Sequence, residues 1–284
     1  MSIWVWVCYD FVYMNPKYVD IHAHTNFAAF NDDRDLVIRR THDSCVAIIN
    51  VGTQKDTSRF AVELAQKYDG VYATVALHPV HTSKSHHDEK ELGEGGKAFT
   101  SRGEIFDIEY YKKLGADKKV VAIGECGLDY YHLDDDTKKL QQEVFRAHIE
   151  VANFLKKPLM LHIRNAYADA YEIFKTHSKV HGHLHFFAGT WEEAKPFLEL
   201  GCTFSFTGVI TFARDYDEVI RNLPLENIMS ETDSPYVTPK PYRGKRNEPL
   251  YVREVAHMIA SIRNQDQEMV KKALVSNAQR VFGL

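Results

Sequence analysis

Two histidines separated by a single residue, His22 and His24, end the stretch Tyr18-Val19-Asp20-Ile21-His22-Ala23-His24. The Val-x-Ile alternation predicts a β-strand, and residues i and i+2 of a strand face the same side. The two imidazoles therefore project together, about 6–7 Å apart along the strand. Converging imidazoles on one rigid element are the usual first half of a divalent-metal site. Further along, Glu125, His162, His185 and Asp233 each end or follow a short apolar run. A lone histidine at a strand end is more often a satisfied polar residue than a ligand. Six nitrogen and oxygen donors delivered at the same end of different runs favour metal ligation. One tetrahedral catalytic ion needs three protein ligands and an open position. Six candidates, with Glu125 able to bridge, suit two ions better, and ions ~3.5–4 Å apart stabilise both the attacking and leaving oxygens of phosphoryl transfer.

The elements that must position these groups are eight apolar stretches, at 18–24, 45–51, 71–77, 120–125, 158–163, 182–187, 202–206 and 228–231. Between and after them, helical spacing of apolar residues predicts helices at 33–42, 57–68, 104–114, 137–155, 166–177, 191–200, 216–222, 251–263 and 267–281. Eight short strands alternating with helices are the pattern of an α/β fold, the (β/α)8 TIM barrel. Its functional site lies at the C-terminal ends of the strands, where all six candidates fall. Residues 17–284 are read as this one domain, preceded by an N-terminal extension, 1–16, that is either an added leader or a packed extra strand. Residues 82–103 break the rhythm. Their Gly93-Glu94-Gly95-Gly96-Lys97 lacks the spacing of a phosphate loop, so a flexible surface insertion is expected, with His86 and His87 in solvent.

A net charge of −4 over 284 residues argues against a bulk basic surface that wraps nucleic acid. It leaves room for a local patch, and Lys240, Arg243, Lys245 and Arg246 form a compact basic run just after Asp233. Cys8, Cys45, Cys126 and Cys202 are far apart without C-x-x-C spacing, and are read as reduced thiols of a cytoplasmic protein. No stretch approaches the ~18–20 apolar residues of a membrane span. The apolar start, 1–12, lacks the positive region and cleavage site of a signal peptide.

The motifs resemble those of the TatD-type deoxyribonucleases of the amidohydrolase superfamily. They are Val19-Asp-Ile-His22-Ala-His24, Gly124-Glu125-Cys-Gly-Leu-Asp129, His162-Ile-Arg164-Asn-Ala166-x-x-Asp169 and His185-Phe-Phe-Ala-Gly189, in the family's order. Glu231-Thr-Asp233-Ser-Pro235, Arg243-Gly-Lys-Arg-Asn-Glu-Pro249 and Asn277-Ala-Gln-Arg-Val-Phe282 complete the match. The resemblance implies a TIM barrel that uses two divalent ions (Zn, Mg or Mn) to hydrolyse DNA phosphodiesters, typically from a 3′ end. It implies that His22, His24, Glu125 and Asp233 hold one ion and that Glu125 bridges to a second. His162 and His185 complete the second position or meet the scissile phosphate, and Asp233 takes the proton of the attacking water. Arg164, two residues after His162, also faces inward, as a phosphate fork or as the partner of a barrel carboxylate. Arg243, Lys245 and Arg246 supply phosphate attraction. Tyr130, Tyr131 and Phe187 either stack on terminal bases or pack the core. His78 is placed to line the mouth, and of His181, His183 and His185 the last matches the motif. Phe186 and Ala188 depart from the small polar residues common in the family, and the 82–103 insertion is longer than its usual loop.

DNA 3′ ends are the expected partner, with no membrane, for a monomer or weak oligomer. Two other readings remain. A superfamily hydrolase of a small amide, ester or aminoacyl bond would use the same ions without needing the arginines. A non-catalytic binding protein would keep the metal only for stability, and retention of Asp233 argues against it.

Overall fold

The structure, a computed structural model, describes residues 16–84, 86–87, 99–131 and 135–284. Eight strands form its main sheet: β1 (Tyr18–Ala23), β2 (Val46–Val51), β3 (Val71–Val75), β4 (Val120–Asp129), β5 (Leu159–Arg164), β6 (Gly182–Leu184), β7 (Thr203–Phe206) and β8 (Ile228–Ser230). They lie in chain order, each ladder parallel, as expected of a TIM barrel. The helices described are α1 (Arg34–Asp43), α2 (Lys55–Lys67), α3 (Ile108–Gly115), α4 (Asp135–Leu155), α5 (Tyr167–His177), α6 (Trp191–Glu199), α7 (Asp217–Asn222), α8 (Val252–Arg263) and α9 (Gln267–Phe282). β2, buried at every residue, is apolar at all but Asn50 because a parallel barrel covers both its faces.

Closure between β8 and β1 falls on the site itself. A parallel bridge joins Ala23 to Ser234, flanked by Asp233 N–H donating to the His22 carbonyl and His24 N–H to that of Ser234, both at 2.8 Å. The buried Asp20 carboxylate accepts from Thr232 N–H (2.9 Å) and Thr232 Oγ1 (2.5 Å), tying the same two segments together. One apolar cluster joins Val19, Ile21, Ala47, Ile49, Met160 and Met229 to Val275, Ala278 and Phe282 of α9. A larger one packs strands against helices around Tyr111, Phe145, Phe174 and Phe197.

Three boundaries differ from the sequence expectation by more than two residues, each for a local reason. β4 continues four residues past Glu125, to Asp129, because Gly127 takes φ +139° against β5, where a Cβ would collide with the His162 carbonyl. β6 stops at Leu184 rather than 187, since Phe186 turns into the left-handed region at φ +41°. α3 starts at Ile108 rather than 104: Asp107 caps it by accepting from Tyr110 N–H at 3.0 Å.

Within 82–103 a short antiparallel ribbon pairs His86–His87 with Phe99–Thr100, so the insertion carries some regular structure. The glycine run 93–97, the extension 1–15 and Cys8 lie outside the described residues, and so do the side chains of His86 and His87. Cys45, Cys126 and Cys202 are buried thiols outside any disulfide. No described helix is long and apolar enough to cross a membrane.

Candidate metal centre

His22 and His24, set at the end of β1 by the closure bonds, meet with their Nε2 atoms 3.2 Å apart. They converge closer than the strand repeat alone would place them. Glu125 from β4 brings Oε2 to 3.3 Å from His22 Nε2 and 3.8 Å from His24 Nε2. Asp233, left-handed at φ +55° just beyond β8, brings Oδ1 to 3.3 Å from His24 Nε2 and 3.8 Å from His22 Nε2. Four donors ~2.1 Å from one tetrahedral centre would stand about 3.4 Å from each other. The five measured edges bracket that value, so these side chains fit a divalent ion.

The other oxygen of Glu125, Oε1, faces a second set: His185 Nε2 at 2.8 Å, His162 Nδ1 at 2.9 Å and His78 Nε2 at 3.1 Å. His162 Nδ1 and His185 Nε2 are 3.3 Å apart. One carboxylate thus faces two separate groups of nitrogens, one from each oxygen. That is the disposition a bridging ligand needs.

Ring tautomers sharpen the chemistry. His24 Nδ1 lies 3.0 Å from the Val51 carbonyl, His162 Nε2 2.9 Å from Asp129 Oδ2, and His185 Nδ1 3.4 Å from Glu231 Oε1. The Val51 carbonyl and the Asp129 carboxylate can only accept, so His24 Nδ1 and His162 Nε2 carry the proton and the opposite nitrogen of each neutral ring is a bare lone pair. His185 Nδ1 approaches Glu231 without a hydrogen bond. In both neutral rings that lone pair points at a carboxylate oxygen. Two lone pairs at such distances repel unless positive charge lies between them. Protonation equilibria report the same demand. Burial opposes charge on Glu125, yet His78, His185 and His22 together hold its carboxyl well below the usual range. Burial likewise opposes the His162 and His185 cations, but Asp129, Glu125 and Glu231 raise both. His22 is pushed down, by burial first and then by the His185 ring stacked on it at 3.8 Å.

Glu231 anchors a buried polar chain. Its Oε2 accepts from Ser205 (2.6 Å), whose hydroxyl accepts from His183 Nε2 (2.8 Å). His183 Nδ1 accepts from Thr203 (2.9 Å), which in turn accepts from His181 Nε2 (3.0 Å). His181 and His183 are thereby occupied inside the barrel, and His185 alone of the three reaches the cluster.

Above the donors a cleft of about 480 Å³ opens, walled by Phe27, Phe186, Phe212, Tyr216, Tyr236, Arg164 and Arg243. Arg164 lies 3.8 Å over Tyr131 and Arg243 4.0 Å over Phe212. The other two expected phosphate ligands lie elsewhere. Arg246 forks onto Asp33 (2.8 and 2.7 Å) and reaches Glu248 (3.3 Å), which also binds Arg40; Lys245 is exposed away from the cleft. The loop they belong to is braced. Asn247 Nδ2 donates to the carbonyls of Thr232 (2.9 Å) and Tyr236 (2.6 Å). Phe187 is core, packed edge-on against Phe204, and not a stacking platform. The Tyr130 hydroxyl is held by Asp169 at 2.8 Å. Asp129 and Glu231, the carboxylates behind His162 and His185, stood in the sequence motifs without an assigned role. Their position at the ends of strands four and eight was the available signal.

The chain matches the model of TatD related DNase over residues 19–283. It is 37% identical over 268 residues to the uncharacterized metal-dependent hydrolase YabD of Bacillus subtilis, covering 93% of this chain and 98% of that one. It is 31% identical over 266 residues to a metal-dependent hydrolase of Methanocaldococcus jannaschii, covering 94% and 97%. Among solved structures it superposes on YJJV, a TatD homolog from Escherichia coli, with a TM-score of 0.80 at 26% identity, over 95% of this chain and 100% of that one.

Proposed function

This chain belongs to the TatD-related DNases, a family of metal-dependent hydrolases, and from that premise we propose that it is a 3′→5′ exonuclease acting on single-stranded or frayed DNA ends. The observation that carries the reading is the split presentation of Glu125, one oxygen toward His22 and His24 and the other toward His162 and His185. In this proposal His22, His24, Glu125 and Asp233 hold one divalent ion, and His162 and His185 hold the second with Glu125. Zn²⁺, Mg²⁺ or Mn²⁺ at these positions supplies Lewis acidity toward a phosphoryl oxygen and acidifies water. Asp233 orients the attacking water and accepts its proton at a carboxylate oxygen. Glu125 stays ionised, and Asp129 keeps His162 turned lone-pair inward. Arg164 and Arg243, each backed by an aromatic ring, grip phosphates flanking the scissile one while the cleft aromatics stack on the last bases.

The test is degradation of 3′- and 5′-labelled single-stranded oligonucleotides by metal-stripped protein with each ion restored, and His162→Ala as control. Stepwise shortening from the 3′ end that needs both ion and His162 is the expected result. The withdrawal of Lys245 and Arg246 from the cleft gives a second reading some ground, a hydrolase of a small amide, ester or aminoacyl substrate. Ion-dependent hydrolysis of a small ester, with no oligonucleotide cleaved under any ion, would establish that reading instead.

A further inference from the structure

One imidazole in the cluster has the opposite polarity to His24 and His162. The segment after β3 enters a tight turn at Pro79, and the His78 side chain caps it: Val80 N–H donates to His78 Nδ1 at 3.2 Å. A backbone N–H only donates, so Nδ1 carries no proton and the neutral ring carries it on Nε2. That Nε2 lies 3.1 Å from Glu125 Oε1, and the bond runs from histidine to carboxylate. His162, facing the same oxygen, has its proton fixed on the far nitrogen by Asp129 and in its neutral form presents a bare lone pair. The tautomer of His78 is built in. His78 N–H donates to the Thr53 carbonyl (2.9 Å), and Thr82 Oγ1 (2.8 Å) and Gln141 Nε2 (3.3 Å) both hold the Pro79 carbonyl, fixing the turn that aims Val80 N–H. Its ring meets His162 edge-on at 4.3 Å and lines the cleft floor.

A lone pair engaged by Val80 and a proton facing the cluster make His78 unsuited to ion ligation and suited to binding an anionic oxygen. We propose that His78 is a substrate-binding donor, whose Nε2–H holds a phosphoryl oxygen at the cleft floor, and is not an ion ligand. The identity of that anion rests on the phosphodiesterase reading above; the donor polarity does not.

Two readouts that use no DNA test it: ions per chain after reconstitution with Mn²⁺, and the affinity of the reconstituted protein for inorganic phosphate by calorimetry. His78→Ala and His78→Asn should both keep the wild-type ion count and bind phosphate roughly tenfold or more weakly, the loss expected for one hydrogen bond to a charged group. Asparagine can still cap Val80 but is too short to reach the floor, so it separates the cap from the donor and serves if the alanine variant fails to fold. His78→Gln, which extends an amide N–H toward the floor, should recover much of the affinity. Loss of one ion per chain in His78→Asn would make the residue a ligand and overturn the proposal. So would unchanged phosphate affinity at full ion count, or a wild-type protein that holds its ions and binds no phosphate. Failure of the nuclease reading shows separately, as uncut oligonucleotide.

Discussion

His148 and His183 sit as deep in the protein as His22, and all three are fully buried. His148 has Leu77 N–H on one nitrogen (3.0 Å) and the Val144 carbonyl on the other (2.8 Å); His183 has Ser205 and Thr203. Each is satisfied one partner to one atom. His22 leaves Nδ1 without a partner and crowds Nε2 with His24, Glu125 and Asp233 within 3.8 Å. Burial therefore does not separate a structural histidine from a candidate ligand. Crowding of one nitrogen by groups that also want a proton or a cation does.

The largest effect that would break this contrast is at Glu125, the group both nitrogen sets share. Glu125→Gln should lower hydrolysis by on the order of 10³-fold and lose bound ion, read by steady-state rates and elemental analysis. An active, ion-replete Gln variant would remove the bridging role. Next come paired alanine variants. His22→Ala should lose ion and keep most of its denaturant stability, whereas His183→Ala should keep its ions and lose about 2–4 kcal/mol in urea unfolding, through a cavity and a Thr203 hydroxyl left without an acceptor. Similar profiles for the two would erase the distinction. Acid sharpens it further. Burial lowers His148 to about 3, so the native state keeps it neutral while the unfolded chain protonates it near 6.5. Below pH 6.5 the unfolded state binds the extra proton, and stability falls until about pH 3, where both states are protonated. His148→Gln should flatten that part of the stability–pH curve. The smallest effect separates the cleft from the loop behind it. Arg164→Ala should weaken oligonucleotide cleavage roughly tenfold, as loss of one charge-assisted phosphate contact, and Lys245→Glu by less than about twofold given its exposure outside the cleft.

All six candidate donors were legible because a parallel barrel delivers every strand end to one mouth. A strand end holding His, Glu or Asp can then be read without coordinates. The basic run was legible only as a run: Arg246 pairs with Asp33, 213 positions away, and no local pattern announces such a partner. Glu231 was visible two residues before Asp233, but its work depends on Ser205 and His185 from neighbouring strands. The polarity of His78 was out of reach, because it hangs on one backbone N–H in a turn. Aromatics after strand ends were ambiguous for a related reason: Phe187 and Phe186 are adjacent in sequence, yet the left-handed turn at Phe186 sends one inward to Phe204 and the other to the cleft.

The braced loop that carries Asp233 has a thermodynamic reading. With Arg246 forked onto Asp33 and Asn247 stitched to Thr232 and Tyr236, this wall of the cleft has no slack to close over a guest. Its ordering entropy is settled when the chain folds, so a substrate meets a mould already set. For the proposed hydrolase such a wall would act as a gauge does, admitting a substrate by its shape.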